Sequence, residues 1–288
     1  MNELSSPIIV IGMHRSGTSM VSRMLEATGL FLGHKKEGNN ESLFFLEIDR
    51  WLISQSGASW ENPAPIRYLL ENRQIRAMTV DYMRRYLIDS PRVISFLGWK
   101  NYLQHRSLFK MPAPWGWKCP WTTFTLPLWR DLFPNAKVLH IYRHGVDVAN
   151  SLRKRTLGTL EQTPAQDLYY KLRFLHWMKP KAGGFIQGMR CATLEGGLSL
   201  WEEYVAEARA HVRELGEQAI EVRYEDLLAE PVRRLGDLVE FCGIPPSAAL
   251  LAKATALVRK QRAYAYRSSP ELNAFAHGVA ERLQAQNY

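Results

Sequence analysis

Five consecutive residues, Arg15-Ser16-Gly17-Thr18-Ser19, combine a guanidinium, hydroxyls and a glycine, and they follow Gly12-Met13-His14. A glycine-containing loop that runs into a helix aims backbone N–H groups and the positive end of the helix dipole at one place, so the chemistry it suits is anion binding. Arg15 adds a fork that can hold two oxygens at once. A second anion position lies farther along. Arg143 ends an apolar run and Ser151 follows beyond a glycine bend, and a strand-end arginine with a serine on the next helix can converge on a terminal phosphate.

Chemistry of this kind needs rigid elements behind it. Ile8-Ile9-Val10-Ile11 is a continuous β-branched run, as expected of a strand buried on both faces of a parallel sheet. Met20, Val21, Met24 and Leu25 then recur at helical spacing until Gly29 supplies a stop. Val138, Leu139, Ile141 and Tyr142 form the strand that ends at Arg143, and the chain turns through Gly145 into the helix carrying Ser151. Residues 219–245 read as a strand and then a helix that starts near Pro231, buries Leu235, Leu238, Val239 and Cys242, and ends at Gly243 and Pro245. Helices are also expected over 66–88, 165–178 and 198–215. The fold predicted is a P-loop-containing, three-layer α/β/α arrangement with a central, mainly parallel sheet. Because the motifs run from Gly12 to Tyr224 with no linker or repeat between them, residues 1–288 are expected to form a single domain.

Compared with the nucleotidase pattern G-x-x-x-x-G-K-[ST], the loop keeps both glycines and the final hydroxyl but has Thr18 at the lysine position. No apolar run ending in Asp follows to hold magnesium, and both features argue against ATP or GTP hydrolysis. The net charge of +9 fits an anionic ligand, with Lys35, Lys36 and the run Arg259-Lys260-Gln261-Arg262 as its densest patches. The basic residues are otherwise dispersed and no nucleic-acid-binding signature is present. Three cysteines are too scattered for a disulfide framework. With no apolar run long enough to span a bilayer and a first strand near residue 7, a cytoplasmic location without a signal peptide is expected. His140 and His144 do not share a helix face, so no metal site is expected.

The loop Arg15-Ser16-Gly17-Thr18-Ser19 resembles the P-[RK]-S-G-T-[ST] motif of the sulfotransferases, with His14 in place of the proline. Arg143, Asp147 and Ser151 match the family pattern R-x-x-x-D-x-x-x-S, and Val222-Arg223-Tyr224-Glu225-Asp226-Leu227 matches its V-R-Y-E-D-L strand. The resemblance implies that Arg15, Ser16, Gly17, Thr18 and Ser19 hold the 5′-phosphosulfate of 3′-phosphoadenosine-5′-phosphosulfate (PAPS). It implies that Arg143 and Ser151 hold the 3′-phosphate and that Tyr224 lies against the adenine. The expected product is 3′,5′-adenosine diphosphate, and the basic run 259–262 is a candidate to close on the 3′-phosphate.

Sulfuryl transfer also needs a base for the acceptor hydroxyl or amine. Glu41-Ser42-Leu43-Phe44-Phe45 is similar to the E-x-x-F-F segment of the heparan sulfate sulfotransferases, which implies Glu41 as base, with Glu47, Asp49, His34 and His105 as competitors. Gly116-Trp117-Lys118-Cys119-Pro120 resembles the family's G-W-K-D-P strand end. Lys118 is retained there, to touch the bridging oxygen or to pair with the base, while Cys119 and Trp121 replace the family's Asp and Arg. The tryptophans of 115–129 are candidates to stack on acceptor sugar rings, although tryptophan more often belongs to the core. A sulfotransferase acting on a small-molecule or glycan acceptor is the reading that results. A P-loop small-molecule kinase and a nonenzymatic nucleotide-binding module are the alternatives still open.

Overall fold

The computed structural model of the protein describes residues 6–111, 114–172, 174–178, 180–181, 184, 186, 188–256 and 258–288. The chain divides into two compact units, Met1–Arg143 with Tyr204–Tyr264, and His144–Glu203 with Ala265–Tyr288.

The first unit is built on four short strands, β1 (Ile8–Ile11), β2 (Gly116–Lys118), β3 (Lys137–Tyr142) and β4 (Ala219–Arg223). They lie in the order β2-β1-β3-β4 and every pair is parallel. Successive side chains of a strand point to opposite faces. Ile8 and Val10 therefore join Leu139, Ile141 and Val222 under the helices Thr18–Ala27 and Pro231–Phe241. The register Ile9↔Trp117 and Ile9↔Val138 puts the other set on the opposite face. There Phe45, from the helix Leu43–Ser54, stacks on Trp117 with ring centroids 4.1 Å apart, and Trp129 packs 4.8 Å from Trp117. Both faces are covered by helices, as a parallel sheet requires.

Chain direction is what makes this sheet useful. β1 leads to β2 on one side, and the chain returns past β1 to form β3 and β4 on the other. In open α/β sheets the crevice beyond the carboxyl ends at such a reversal is where ligands bind. The residues just past those ends are Gly12 after β1, Cys119 after β2, Arg143 after β3 and Tyr224 after β4.

The second unit is helical. The helix Gly145–Gln166 packs on the start of Leu194–Leu215, with a Cβ added at Gly197 only 3.0 Å from Ala149 Cα. The Asp147 carboxylate accepts the backbone N–H groups of Ala265 (3.2 Å) and Tyr266 (2.8 Å), fixing the C-terminal segment to that helix. Ion pairs Arg153–Glu271 (2.6 Å) and Arg282–Glu202 (2.6 Å) add to the closure.

Three expected helices differ in extent, one of them, 198–215, only in starting earlier, at Leu194. The periodic stretch 66–88 breaks into Ile66–Glu71 and Arg73–Asp89, because the Asn72 side chain accepts the N–H of Ile75 at 3.0 Å and caps a new helix. Within 165–178, short helices Leu168–Lys171 and Phe174–Met178 follow a helix that runs to Gln166, and residue 173 lies outside the described residues.

Candidate active site

The loop after β1 takes its shape from backbone that few side chains allow. At Gly12, φ is +132° and a Cβ would stand 2.2 Å from the Ile141 carbonyl oxygen, so only glycine fits. Arg15 (φ 70°) and Gly17 (φ 92°) are both left-handed. Left-handed turns of this kind can aim amides at an anion, and the path leads into the helix Thr18–Ala27, whose first N–H groups have no intrahelical acceptor. The Ser16 hydroxyl is wholly buried and lacks a hydrogen-bond partner among the described residues. A buried hydroxyl left unmet is costly, and a phosphate-type oxygen in the concavity would meet it. Thr18 is buried and Ser19 half-buried at the helix start.

The pairing Tyr142↔Arg223 brings the next residues, Arg143 and Tyr224, side by side at the ends of β3 and β4. The Arg143 guanidinium lies 5.0 Å over the Tyr224 ring. The same ring packs on Gly17, where a Cβ would meet it at 2.3 Å. Arg143 Nη2 also donates to the Arg262 carbonyl at 3.0 Å, which puts the run 259–262 beside this strand end. Although Arg15 reaches solvent, partial burial of its guanidinium draws its pKa down, and the charges of Arg143 and Arg262 lower it further. A bound anion would relieve this crowding of like charge. The cradle therefore fits a phosphorylated ligand by shape, by its orphaned hydroxyl and by charge. Ser151 is half-buried on the helix Gly145–Gln166 of the second unit, and its association with Arg143 rests on sequence spacing.

Glu41 and Lys118 meet. Lys118 Nζ lies 2.8 Å from Glu41 Oε1 and 3.3 Å from Ser19 Oγ, and both charged side chains are almost fully buried. The lysine thus joins the carboxylate to the first turn of the cradle helix. Two anchors hold Glu41 in place. Ahead of it, the turn 36–42 is closed by Glu37 N–H to the Glu41 carbonyl (2.8 Å), and it is fastened to the cradle helix where Glu26 accepts from Lys36 and from Asn40 Nδ2 (2.8 Å). Behind it, Phe44 and Phe45 are buried in the aromatic layer. Lys36 is therefore half of an ion pair and not a fully solvated charge.

Two of the other candidates for a base, Glu47 and Asp49, are paired elsewhere. Glu47 is in an exposed ion pair with Arg92 at 2.8 Å. Asp49 is completely buried and accepts from Thr122 Oγ1, Thr125 Oγ1 (2.6 Å) and Trp129 Nε1 (2.8 Å). Burial pushes its pKa up despite those donors. Burial, with Asp49 and Glu41 nearby, pushes the Cys119 thiol well above its usual range, so Cys119 brings no charge to the position where the resembled family has an aspartate. His34 is exposed and His105 half-buried.

Of the two readings of the tryptophans of 115–129, core holds for Trp115, Trp117 and Trp129, which have no exposed surface. Their rings are spent on one another and on Phe45. Trp121 is half-buried. The Glu26 clamp was not anticipated from the sequence, although Asn40, a residue that tolerates the left-handed φ of 64° found there, marked a tight turn before Glu41.

Residues 7–248 match the Sulfotransferase family. Among solved structures, a sulfotransferase domain from the curacin biosynthetic pathway is 18% identical, with 96% of this chain and 98% of that one covered and a TM-score of 0.49. Sulfotransferase STF9 from Mycobacterium avium is 15% identical, covering 98% of this chain and 77% of that chain, with a TM-score of 0.45. A sulfotransferase from Alicyclobacillus acidocaldarius is 16% identical, covering 89% and 94%, with a TM-score of 0.46. No curated protein matches the chain.

Proposed function

Because the chain belongs to the sulfotransferase family, we propose that it transfers a sulfuryl group from PAPS to a hydroxyl or amine of a small-molecule or glycan acceptor. The observation that carries this reading is the presence of two cationic positions at neighbouring strand ends, the cradle with Arg15 after β1 and Arg143 over Tyr224 after β3. A nucleoside with one phosphate chain needs only the first. A 3′-phosphate gives the second a purpose.

In this scheme PAPS supplies the sulfuryl group and a phosphate leaving group. Amides of Gly17, Thr18 and Ser19, the Ser16 hydroxyl and Arg15 hold the 5′-phosphosulfate, Arg143 holds the 3′-phosphate, and Tyr224 supports the adenine. Ser151 is assigned to the 3′-phosphate on spacing alone. Glu41 takes the acceptor proton as the acceptor oxygen or nitrogen bonds to sulfur and the bond from sulfur to the bridging oxygen breaks. The electron pair leaves with the phosphate. Once protonated, Glu41 no longer needs the Lys118 charge, and the ammonium is released toward the oxygen where negative charge gathers. Proton uptake and leaving-group stabilisation are thereby coupled through one side chain.

Calorimetry with two nucleotides tests the donor assignment. 3′,5′-Adenosine diphosphate is expected to bind more tightly than 5′-AMP by about 1.5–3 kcal/mol for each charge-assisted bond to the 3′-phosphate. Arg143→Ala should remove most of that difference. Equal affinity of the wild-type protein for both nucleotides would remove the basis for PAPS.

A further inference from the structure

A cleft in the first unit, away from the anion cradle, is lined by Trp51, Tyr82, Tyr86, Met83 and the pair Glu47–Arg92. We propose that it binds a pyranose ring; that this ring belongs to the acceptor rests on the sulfuryl-transfer reading.

Phe45, Phe96, Trp115, Trp117 and Trp129 are sealed in the layer against the sheet and show no exposed surface. The rings of the cleft are different. Tyr82 is 48% exposed although it is a large side chain in a long helix. It lies with its centroid 4.6 Å from Trp51 and 6.1 Å from Tyr86, and Tyr86 is backed by Phe44 in near-parallel stacking at 5.7 Å. The platform is thus fastened to the core on one side and open on the other.

The polar groups decide what the platform receives. Glu47 and Arg92 pair at 2.8 Å with both side chains at least half exposed, so the cleft presents donors and acceptors together while its charge cancels. A net-neutral ligand is favoured over an anion or a cation. Sugar hydroxyls both donate and accept, so they can use both members of such a pair, and the apolar face of a pyranose covers aromatic rings. A bare aryl ring would use the platform and leave the charged pair without a function.

The position of the cleft suits a remote part of an acceptor. Glu47, Ile48 and Trp51 lie on the helix Leu43–Ser54, which begins two residues after Glu41. At about 1.5 Å per residue, Trp51 is roughly 12 Å along the axis from the helix start. A multi-ring glycan could therefore sit on the cleft with one ring while presenting another toward Glu41, and binding energy from the remote ring would help to orient the reacting one.

The test is a direct titration in the absence of any nucleotide, so its outcome is independent of whether PAPS is the donor. Cellotriose, maltotriose and chitotriose serve as saccharide probes and p-nitrophenol as the aryl probe, followed by saturation-transfer NMR and calorimetry. At least one trisaccharide is expected to bind, with affinity reduced tenfold or more in Tyr82→Ala and in Arg92→Gln. Both residues are substantially exposed, and unchanged melting curves will show that the fold is retained. Binding of p-nitrophenol without any saccharide overturns the proposal. So does saccharide binding that is unaffected by both substitutions, and so does no binding by any of the four probes.

Discussion

Glu41, just ahead of the helix Leu43–Ser54, and Asp49, within it, are both almost wholly buried, yet their partners differ in kind. Asp49 is met by two threonine hydroxyls and an indole N–H, all neutral, from the single helix Thr122–Leu132. Glu41 is met by the Lys118 ammonium, which also reaches Ser19 at the mouth of the anion loop. A carboxylate capped by neutral donors inside a closed layer stabilises that layer and has no route to a proton from an acceptor. One held by a movable cation beside an anion site can change charge state if the cation has somewhere else to go. Burial alone therefore does not separate a structural carboxylate from a working one. In the proposed scheme the identity of the donors does.

The largest effect expected from this contrast is on turnover. Glu41→Gln preserves shape and removes the base, so transfer should fall by roughly 10²- to 10⁴-fold while affinity for 3′,5′-adenosine diphosphate holds. Sulfate added to an acceptor, followed by mass spectrometry, reads the rate, and calorimetry reads the affinity. Near-normal turnover in this variant would return the role of base to another group and would reduce the Lys118 pair to a structural contact.

Much of the cradle was legible because its signals are local. Gly12, Gly17 and Gly29 all have positive φ where the sequence places a turn, a helix start and a helix stop, and the β-branched run Ile8–Ile11 is fully buried as its composition implies. What could not be read is set by pairs far apart in the chain. Lys118 and Glu41 are 77 residues apart, and nothing local fixes which acid the lysine meets. The tryptophans of 115–129 read as core before they read as a sugar platform, and Phe45, on a distant helix, decides it by filling the space above Trp117. Thr122, Thr125 and Trp129 lie on one face of their helix by spacing, but a face of donors has no meaning until Asp49 is folded against it. At Asn72 the signal is local but hidden, because apolar spacing continues through the cap that interrupts the helix.

A smaller effect, on the other side of the comparison, concerns stability. Asp49→Ala leaves the Thr122 and Thr125 hydroxyls and the Trp129 N–H buried without their acceptor, and a loss of about 3 kcal/mol is expected from desolvated groups of this kind. Urea unfolding should show the midpoint moving down. Turnover per folded molecule should stay near wild type, because Asp49 does not touch the cradle in this scheme. A variant that keeps its stability but loses turnover would place Asp49 among the reacting groups and dissolve the distinction from Glu41.

The smallest effect is in pH dependence, and its sign is set by the direction of the Asp49 shift. Burial raises its folded-state pKa above the ordinary 3.8, so between that value and the raised one the folded state holds a proton that the unfolded state has released. Stability from this group is fully present below about pH 4 and is lost as pH rises through the folded value, leaving a charged carboxylate that burial disfavours. Asp49→Asn cannot titrate. Its difference in unfolding free energy from wild type should therefore move in favour of the variant as pH rises from 4 and then level off, whatever constant offset the amide introduces. Urea titrations of both proteins from pH 4 to pH 8 measure that difference. A flat difference would mean that burial does not raise the Asp49 pKa above its ordinary value.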